Sequence, residues 1–452
     1  MDTPIFDFVQ NYIKSNTARL HMPGHKGVSF LGFEAYDITE IKGADELYAP
    51  DGIIKKSEEN ATSLFDTAKT IYSAGGSSQS INAMLYLAYL KADKSTRPFV
   101  LAGRNAHKSF IYALAKLDAD VEWLYPETTD SICSCIVTAK QIENKLNSLK
   151  YKPFAVYITS PDYLGGMCDI ESIAKVCKNF NIPLLVDNAH GSYLKFCEKD
   201  LHPISLGADM CCDSAHKTLP VLTGGGYLHI AKNDKYGFSQ NAVNAMAIFG
   251  STSPSYLILQ SLDLCNKYLD EKIKDDIKIC TEKCNEIKGI MLEKEIPCIS
   301  QEPLKITADF RGCSLCRGRR PRRPESFAEY FRDHNIEFEY ADDNFVVFML
   351  SPQNSDEDFK KLKNAFENLN IEKTEKSEAF EIEVGERVLT IRESIFCESK
   401  EINIENSLNR VCASPTVSCP PAIPIAVSGE KISKKHIELF KKYNIKKINV
   451  IK

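Results

Sequence analysis

A lysine placed to act as a nucleophile lies in Asp213-Ser214-Ala215-His216-Lys217-Thr218. A lysine amine becomes a Schiff-base former when burial or a neighbouring cation lowers its pKa. His216 is its neighbour in sequence, and Ser214 offers a hydroxyl. Taken alone, the string also suits an ordinary surface lysine. Upstream, Val186-Asp187-Asn188-Ala189-His190-Gly191 follows a wholly apolar run, so Asp187 ends a buried strand. Ligands of parallel sheets gather at such ends. A carboxylate there can pair with a protonated ring nitrogen, and His190 is a further candidate catalytic group beside it. A helix N-cap is the other reading of Asp187.

Further upstream, Ser73-Ala74-Gly75-Gly76-Ser77-Ser78 precedes an apolar helix. Glycines let a backbone approach a ligand. The first N–H groups of a helix, with the hydroxyls of Ser77 and Ser78, make an anion site. Most Gly/Ser loops are only turns, and no lysine stands at Walker spacing. In Arg104-Asn105-Ala106-His107-Lys108-Ser109, His107 follows an apolar strand. Its imidazole can stack on an aromatic ligand or serve the structure alone. His21-Met22-Pro23-Gly24-His25-Lys26-Gly27 reads as a loop near a site or a plain surface loop.

These residues need a scaffold, and the patterning supplies one. From residue 55 to 231, helical and apolar strand patterns alternate. Helices are predicted over 57–70, 81–90, 107–117 and 169–180, and strands over 99–102, 155–159, 183–187 and 226–230. Short, fully apolar strands between helices predict an α/β fold with a mostly parallel sheet covered on both faces. Residues 1–40 read as an arm and 41–265 as the large domain. The helix-favouring stretch 255–290 supplies a linking helix over 266–290. Residues 291–452 read as a smaller α+β domain, with alternation at 345–350 and 381–391 and a final strand at 448–451.

Composition narrows the class. The 452 residues are 43% hydrophobic and 26% charged, which excludes a disordered or fibrous chain. A net charge of -5 gives no sign of a nucleic-acid partner. No apolar run is long enough to span a bilayer, and Met1-Asp2-Thr3-Pro4 has no basic lead into an apolar stretch. The 16 cysteines are scattered through core-like segments, so reduced thiols in a cytoplasmic protein are expected. Cys133, Cys135, Cys211 and Cys212 read as small apolar core residues.

In the order Gly/Ser loop, His107, Asp187, Lys217, the intervals are about 30, 80 and 30 residues. This arrangement resembles the Orn/Lys/Arg decarboxylase family, in its short form without an N-terminal wing domain. The resemblance extends over His21–Gly27, Asp37-Ile38-Thr39-Glu40, the Gly/Ser loop, Arg104–Ser109, Thr159-Ser160-Pro161-Asp162-Tyr163-Leu164-Gly165, Asp187–Gly191, Ser214–Thr218 and Ser251-Thr252-Ser253-Pro254-Ser255-Tyr256. Pro420-Pro421-Ala422-Ile423-Pro424 is a weaker echo.

The resemblance implies an aminotransferase-like fold (fold type I) with a seven-stranded sheet, and pyridoxal 5'-phosphate as cofactor. It implies a decarboxylase of a basic amino acid, arginine first and lysine or ornithine next, in polyamine metabolism. Lys217 would be the covalent attachment point and Asp187 the partner of the ring nitrogen. His107 would stack on the ring. Gly75, Gly76, Ser77, Ser78, Ser214 and His216 would cradle the phosphate. Thr252 would reach the cofactor of a second subunit, which implies a homodimer with shared sites.

The family usually has Glu where Asn188 stands and His where Tyr193 stands. Its Leu-Thr-Gln is here Leu222-Thr223-Gly224, and its Tyr-Pro-Pro-Gly is Cys419-Pro420-Pro421-Ala422. An aminotransferase, another lyase and an inactive paralogue that binds the cofactor are the competing readings. Cys313 and Cys316 run into Arg317–Arg323, with five arginines in seven residues. No second Cys/His pair stands at ligand spacing, so a solvated loop is expected and no metal site.

Overall fold

The computed structural model describes residues 1–127, 129–315, 326–375, 382, 383, 385–417 and 422–452. Cys316, Arg317–Arg323 and Cys419–Pro421 lie outside the described residues. Short 3-10 turns aside, the first 293 residues run α1 (Pro4–Lys14), α2 (Ile53–Phe65), β1 (Thr67–Ser73), α3 (Gly76–Tyr89), β2 (Phe99–Gly103), α4 (Lys108–Leu117), β3 (Asp120–Leu124), α5 (Ala139–Ser148), β4 (Val156–Thr159), α6 (Ile170–Phe180), β5 (Leu184–Asp187), β6 (Met210–Asp213), α7 (Ala215–Thr218), β7 (Gly226–Ala231), α8 (Ala242–Ile248), α9 (Tyr256–Glu271) and α10 (Ile273–Glu293).

Seven strands form one sheet in the order β1-β7-β6-β5-β4-β2-β3. β5 runs parallel to β6 and β2 to β4, whereas β7 is antiparallel to both β6 and β1. All four residues of β5 are buried, as a strand covered on both faces requires. The helix before it is bounded by its own side chains. Asp169 accepts from Ser172 N at 3.0 Å to cap α6, and Asn181 ends it in the left-handed conformation at φ 52°.

The chain divides into two compact units: Met1–Ala102 with Thr138–Ile158 and Asp169–Lys274, and Gly103–Val137 with Thr159–Cys168 and Asp275–Lys452. The first is centred on Phe65, Tyr72 and Tyr227, each fully buried. Its aromatic contacts include Phe65 and Tyr72 against Tyr227, with ring centroids 5.4 and 5.8 Å apart. In the second, strands Tyr340–Ala341, Phe345–Met349 and Lys305–Asp309 form an antiparallel sheet in that order. Ser399–Asn403 pairs with Lys447–Ile451. A core that includes Ile132, Tyr163, Phe345, Ile425 and Phe440 fills it.

Several expectations change. The arm contains a helix, α1, with Ile5 and Val9 fully buried. Asp263 of α9 accepts from Ile5 N and Phe6 N at 2.9 and 3.0 Å, satisfying two N–H groups that a helix start leaves open. The helix expected over 57–70 stops at Phe65, and the chain enters β1 through Asp66 at φ 51°. The long helical stretch is two helices, broken where Lys272 leaves helical geometry. Over 385–390, where alternation suggested a strand, Arg387 makes an isolated bridge to Glu430. Among the described residues all 14 cysteines are free, and Cys133, Cys135, Cys211 and Cys212 are buried. No described helix is long and apolar enough to cross a membrane.

Candidate active site

Asp187 closes β5 and is only 2% exposed. Tyr157 on β4 donates its hydroxyl to Asp187 Oδ2 at 3.0 Å, and Ala189 N donates to Oδ1 at 3.2 Å. Cys212 Sγ lies 3.6 Å from the same Oδ1. Burial pushes the Asp187 carboxyl above its ordinary range, while the Lys217 charge and these hydrogen bonds pull it back. Such a carboxylate is stabilised by an added cation that needs no further solvation.

Four residues after β6 begins, the chain turns into the single turn of α7, which carries His216 and Lys217. Lys217 is exposed, and its Nζ stands 3.0 Å from His190 Nε2, on the loop that follows Asp187. His216 Nδ1 donates to Gly225 O at 2.8 Å, and burial lowers its pKa. Ser214 is fully buried, and its hydroxyl has no hydrogen-bond partner among the described residues.

The Gly/Ser loop meets this turn. Gly76 takes φ +63°, and a Cβ there would lie 3.6 Å from His216 Cε1. Gly76 N donates to Gly224 O at 2.7 Å. A Cβ on Gly226 would lie 2.6 Å from Asp213 O and 3.5 Å from Ser77 N, so only glycine lets β7 pass between the end of β6 and the start of α3. Gln79 locks the loop from inside: Gly75 N and Ser73 Oγ donate to its Oε1 at 3.1 and 2.9 Å. The N-terminus of α3, with half-buried Ser77 and exposed Ser78, therefore lies beside α7.

The first unit thus brings Gly75, Gly76, Ser77, Asp187, His190, Ser214, His216 and Lys217 onto adjoining loops. His107 belongs to the second unit, where it caps α4 and its Nδ1 accepts from Ser109 N at 3.1 Å. Thr252 is exposed. Two N-terminal motifs meet each other: His25 Nε2 lies 3.2 Å from Asp37 Oδ2, and His25 Nδ1 accepts from Gly27 N at 3.0 Å. Asn188 and Tyr193, where the sequence departs from the family's usual residues, are core residues at 0% and 1% exposure. Asn188 Nδ2 donates to Asp213 Oδ1 at 2.7 Å. Tyr157 went unnoticed in the sequence because it sits inside an apolar strand like any core tyrosine.

The profile of the Orn/Lys/Arg decarboxylase major domain matches residues 3–301. The chain belongs to the Orn/Lys/Arg decarboxylase family. An arginine decarboxylase of Bacillus subtilis is 26% identical, with 96% of this chain and 92% of that protein covered. A lysine decarboxylase structure from Francisella novicida superposes with a TM-score of 0.76 at 16% identity, over 100% of this chain and 81% of that one. A structure of SPT with PLP has a TM-score of 0.54 at 11% identity, covering 70% of this chain and 75% of that one. The fold is that of the type I pyridoxal-phosphate enzymes, and pyridoxal phosphate is the cofactor of this decarboxylase family.

The residues present fit that group. A buried serine hydroxyl without a partner among the described residues, a helix N-terminus and glycines that exclude a Cβ suit a phosphate. A buried carboxylate suits a protonated ring nitrogen, and an accessible lysine amine suits an aldehyde.

Proposed function

We propose that this member of the family decarboxylates a basic amino acid, arginine ahead of lysine and ornithine, releasing carbon dioxide and the corresponding amine as a step toward polyamines. The observation that carries the reading is the pairing of Lys217 with His190 beside the buried Asp187. The Bacillus subtilis arginine decarboxylase, matched along 96% of this chain, supports the choice of substrate.

Bound pyridoxal phosphate supplies the electron sink that takes up the pair left when the Cα–carboxylate bond breaks. Lys217 holds the cofactor covalently. Asp187 keeps the ring nitrogen protonated, and Tyr157 fixes which way its carboxylate points. The α3 N–H groups with Ser214 and His216 bind the phosphate and so orient the whole group. Once the substrate's amino group has displaced Lys217 from the cofactor, the freed Nζ would exchange a proton with His190 Nε2 and would deliver one to Cα after the carboxylate has left. For His107 the support is the family resemblance. A cytoplasmic homodimer with Thr252 serving a second subunit rests on that resemblance, and the exposure of Thr252 suits it.

The test is an assay of carbon dioxide release from carboxyl-labelled arginine, lysine and ornithine with cofactor present. Release from one of them is expected. Keto-acid formation without carbon dioxide would favour an aminotransferase, and no reaction at all would remove the reading.

A further inference from the structure

A second cluster lies behind the sheet. Side chains alternate along a strand, and on β6 Cys212 turns toward Asp187, with its Sγ 3.6 Å from Oδ1. Cys211 and Asp213 therefore share the opposite face. β7 pairs Cys211 with His229, which brings that imidazole to the same face, and His202 enters from the loop before β6. His202, His229 and Asp213 are all fully buried, as is Cys211.

The donor atoms converge. His202 Nε2 lies 3.2 Å from Asp213 Oδ2, and His229 Nε2 lies 3.3 Å from the same oxygen. Cys211 Sγ stands 3.8 Å from His202 Nε2 and 3.9 Å from Asp213 Oδ1. One donor atom from each of His202, Cys211 and Asp213 falls within 4.8 Å of the others. Around a tetrahedral ion, bond lengths of about 2.0–2.3 Å put neighbouring donors roughly 3.3–3.8 Å apart. The outer contacts are those that steady ligands. Thr70 Oγ1 lies 2.8 Å from His229 Nδ1 and can accept its hydrogen, turning the Nε2 lone pair inward. Asn188 Nδ2 donates to Asp213 Oδ1 and leaves Oδ2 for the cluster.

We propose that His202, Cys211 and Asp213, with His229 as the fourth donor, form a buried site for a zinc-type divalent ion on the sheet face opposite Asp187. Mixed imidazole, thiolate and carboxylate donors select that class of ion over magnesium or calcium. The four residues come from three separate segments, so no sequence spacing announces them. The ion would tie β6, β7 and the loop carrying His202 together and hold Asn188 directly after Asp187. The competing reading is a metal-free network in which one imidazolium neutralises Asp213.

The full-length protein, stripped with a chelator and dialysed against zinc, should retain one ion per chain by elemental mass spectrometry. Cobalt loading should give intense tetrahedral ligand-field bands to the red of pyridoxal absorption. Cys211→Ser and His202→Gln should each cut retention at least about tenfold, while Cys177→Ser, which alters another buried thiol of the same unit, should keep it. No stoichiometric ion in the wild-type protein, or weak octahedral cobalt bands, overturns the proposal. So does full retention in a folded Cys211→Ser protein. The wild-type cobalt spectrum decides alone if the variants do not fold.

Discussion

Tyr157 donates its hydroxyl to Asp187 Oδ2 at 3.0 Å, with both side chains buried. A hydrogen bond to a charged buried group contributes about 1.5–3 kcal/mol. Tyr157→Phe keeps the ring and removes this bond, so burial raises the Asp187 carboxyl further. Turnover is expected to fall about tenfold to a hundredfold, with the phosphate contacts intact and cofactor retained. Steady-state rates at saturating cofactor measure this, and an unchanged rate would show that Asp187 needs no help from Tyr157.

Asp187→Asn removes the negative charge altogether. The amide oxygen can still accept from Ala189 N, and its NH2 can donate to the Tyr157 hydroxyl oxygen, so the fold should hold. The rate should drop at least about 100-fold while cofactor remains bound. Loss of cofactor binding in place of rate would assign Asp187 to anchoring.

Much of this site is legible in the sequence, for a physical reason. β5 is wholly buried, and β4 and β7 are buried up to their last residue; the residues that follow such short strands are where a parallel sheet places its chemistry. β1 was hidden because Lys69 and Thr70 extend the helical pattern of α2, and β3 because Asp120 and Glu122 break its apolar run. Pairing across strands is also invisible in a linear chain. His229 becomes a neighbour of Cys211 only through the register of β6 and β7, and nothing in the linear order announces the bond from Asn188 to Asp213.

Gly226 makes a claim that can be tested on stability and binding together. A methyl group there would meet Asp213 O at 2.6 Å, and backbone cannot give way cheaply. Gly226→Ala should cost about 1–3 kcal/mol in urea unfolding and weaken cofactor affinity, because the strain falls between Asp213 and Ser77. Unchanged stability and affinity would mean that the loop moves aside freely.

Glu58 is a pH-dependent liability of the first unit. Burial pushes its carboxyl up to about 8, partly offset by Tyr72 N donating to Oε1 at 2.9 Å. The folded state therefore holds a proton that the unfolded chain releases near about 4.3. The stability from this group is fully present below that value and is lost as pH rises through about 8. Glu58→Gln keeps the acceptor and abolishes the titration. Relative to the variant, the wild-type protein should lose on the order of a few kcal/mol between pH 5 and 8.5. Parallel urea unfolding curves that differ by a constant across that range would contradict the assignment.

The central claim is that Lys217 carries the cofactor. Borohydride reduction of the protein loaded with pyridoxal phosphate, followed by digestion and peptide mass spectrometry, tests it most directly. One reduced phosphopyridoxyl group is expected, on Lys217, and none in Lys217→Ala protein that remains folded. The group on another lysine of the wild-type chain, or no covalent group at all, would contradict it.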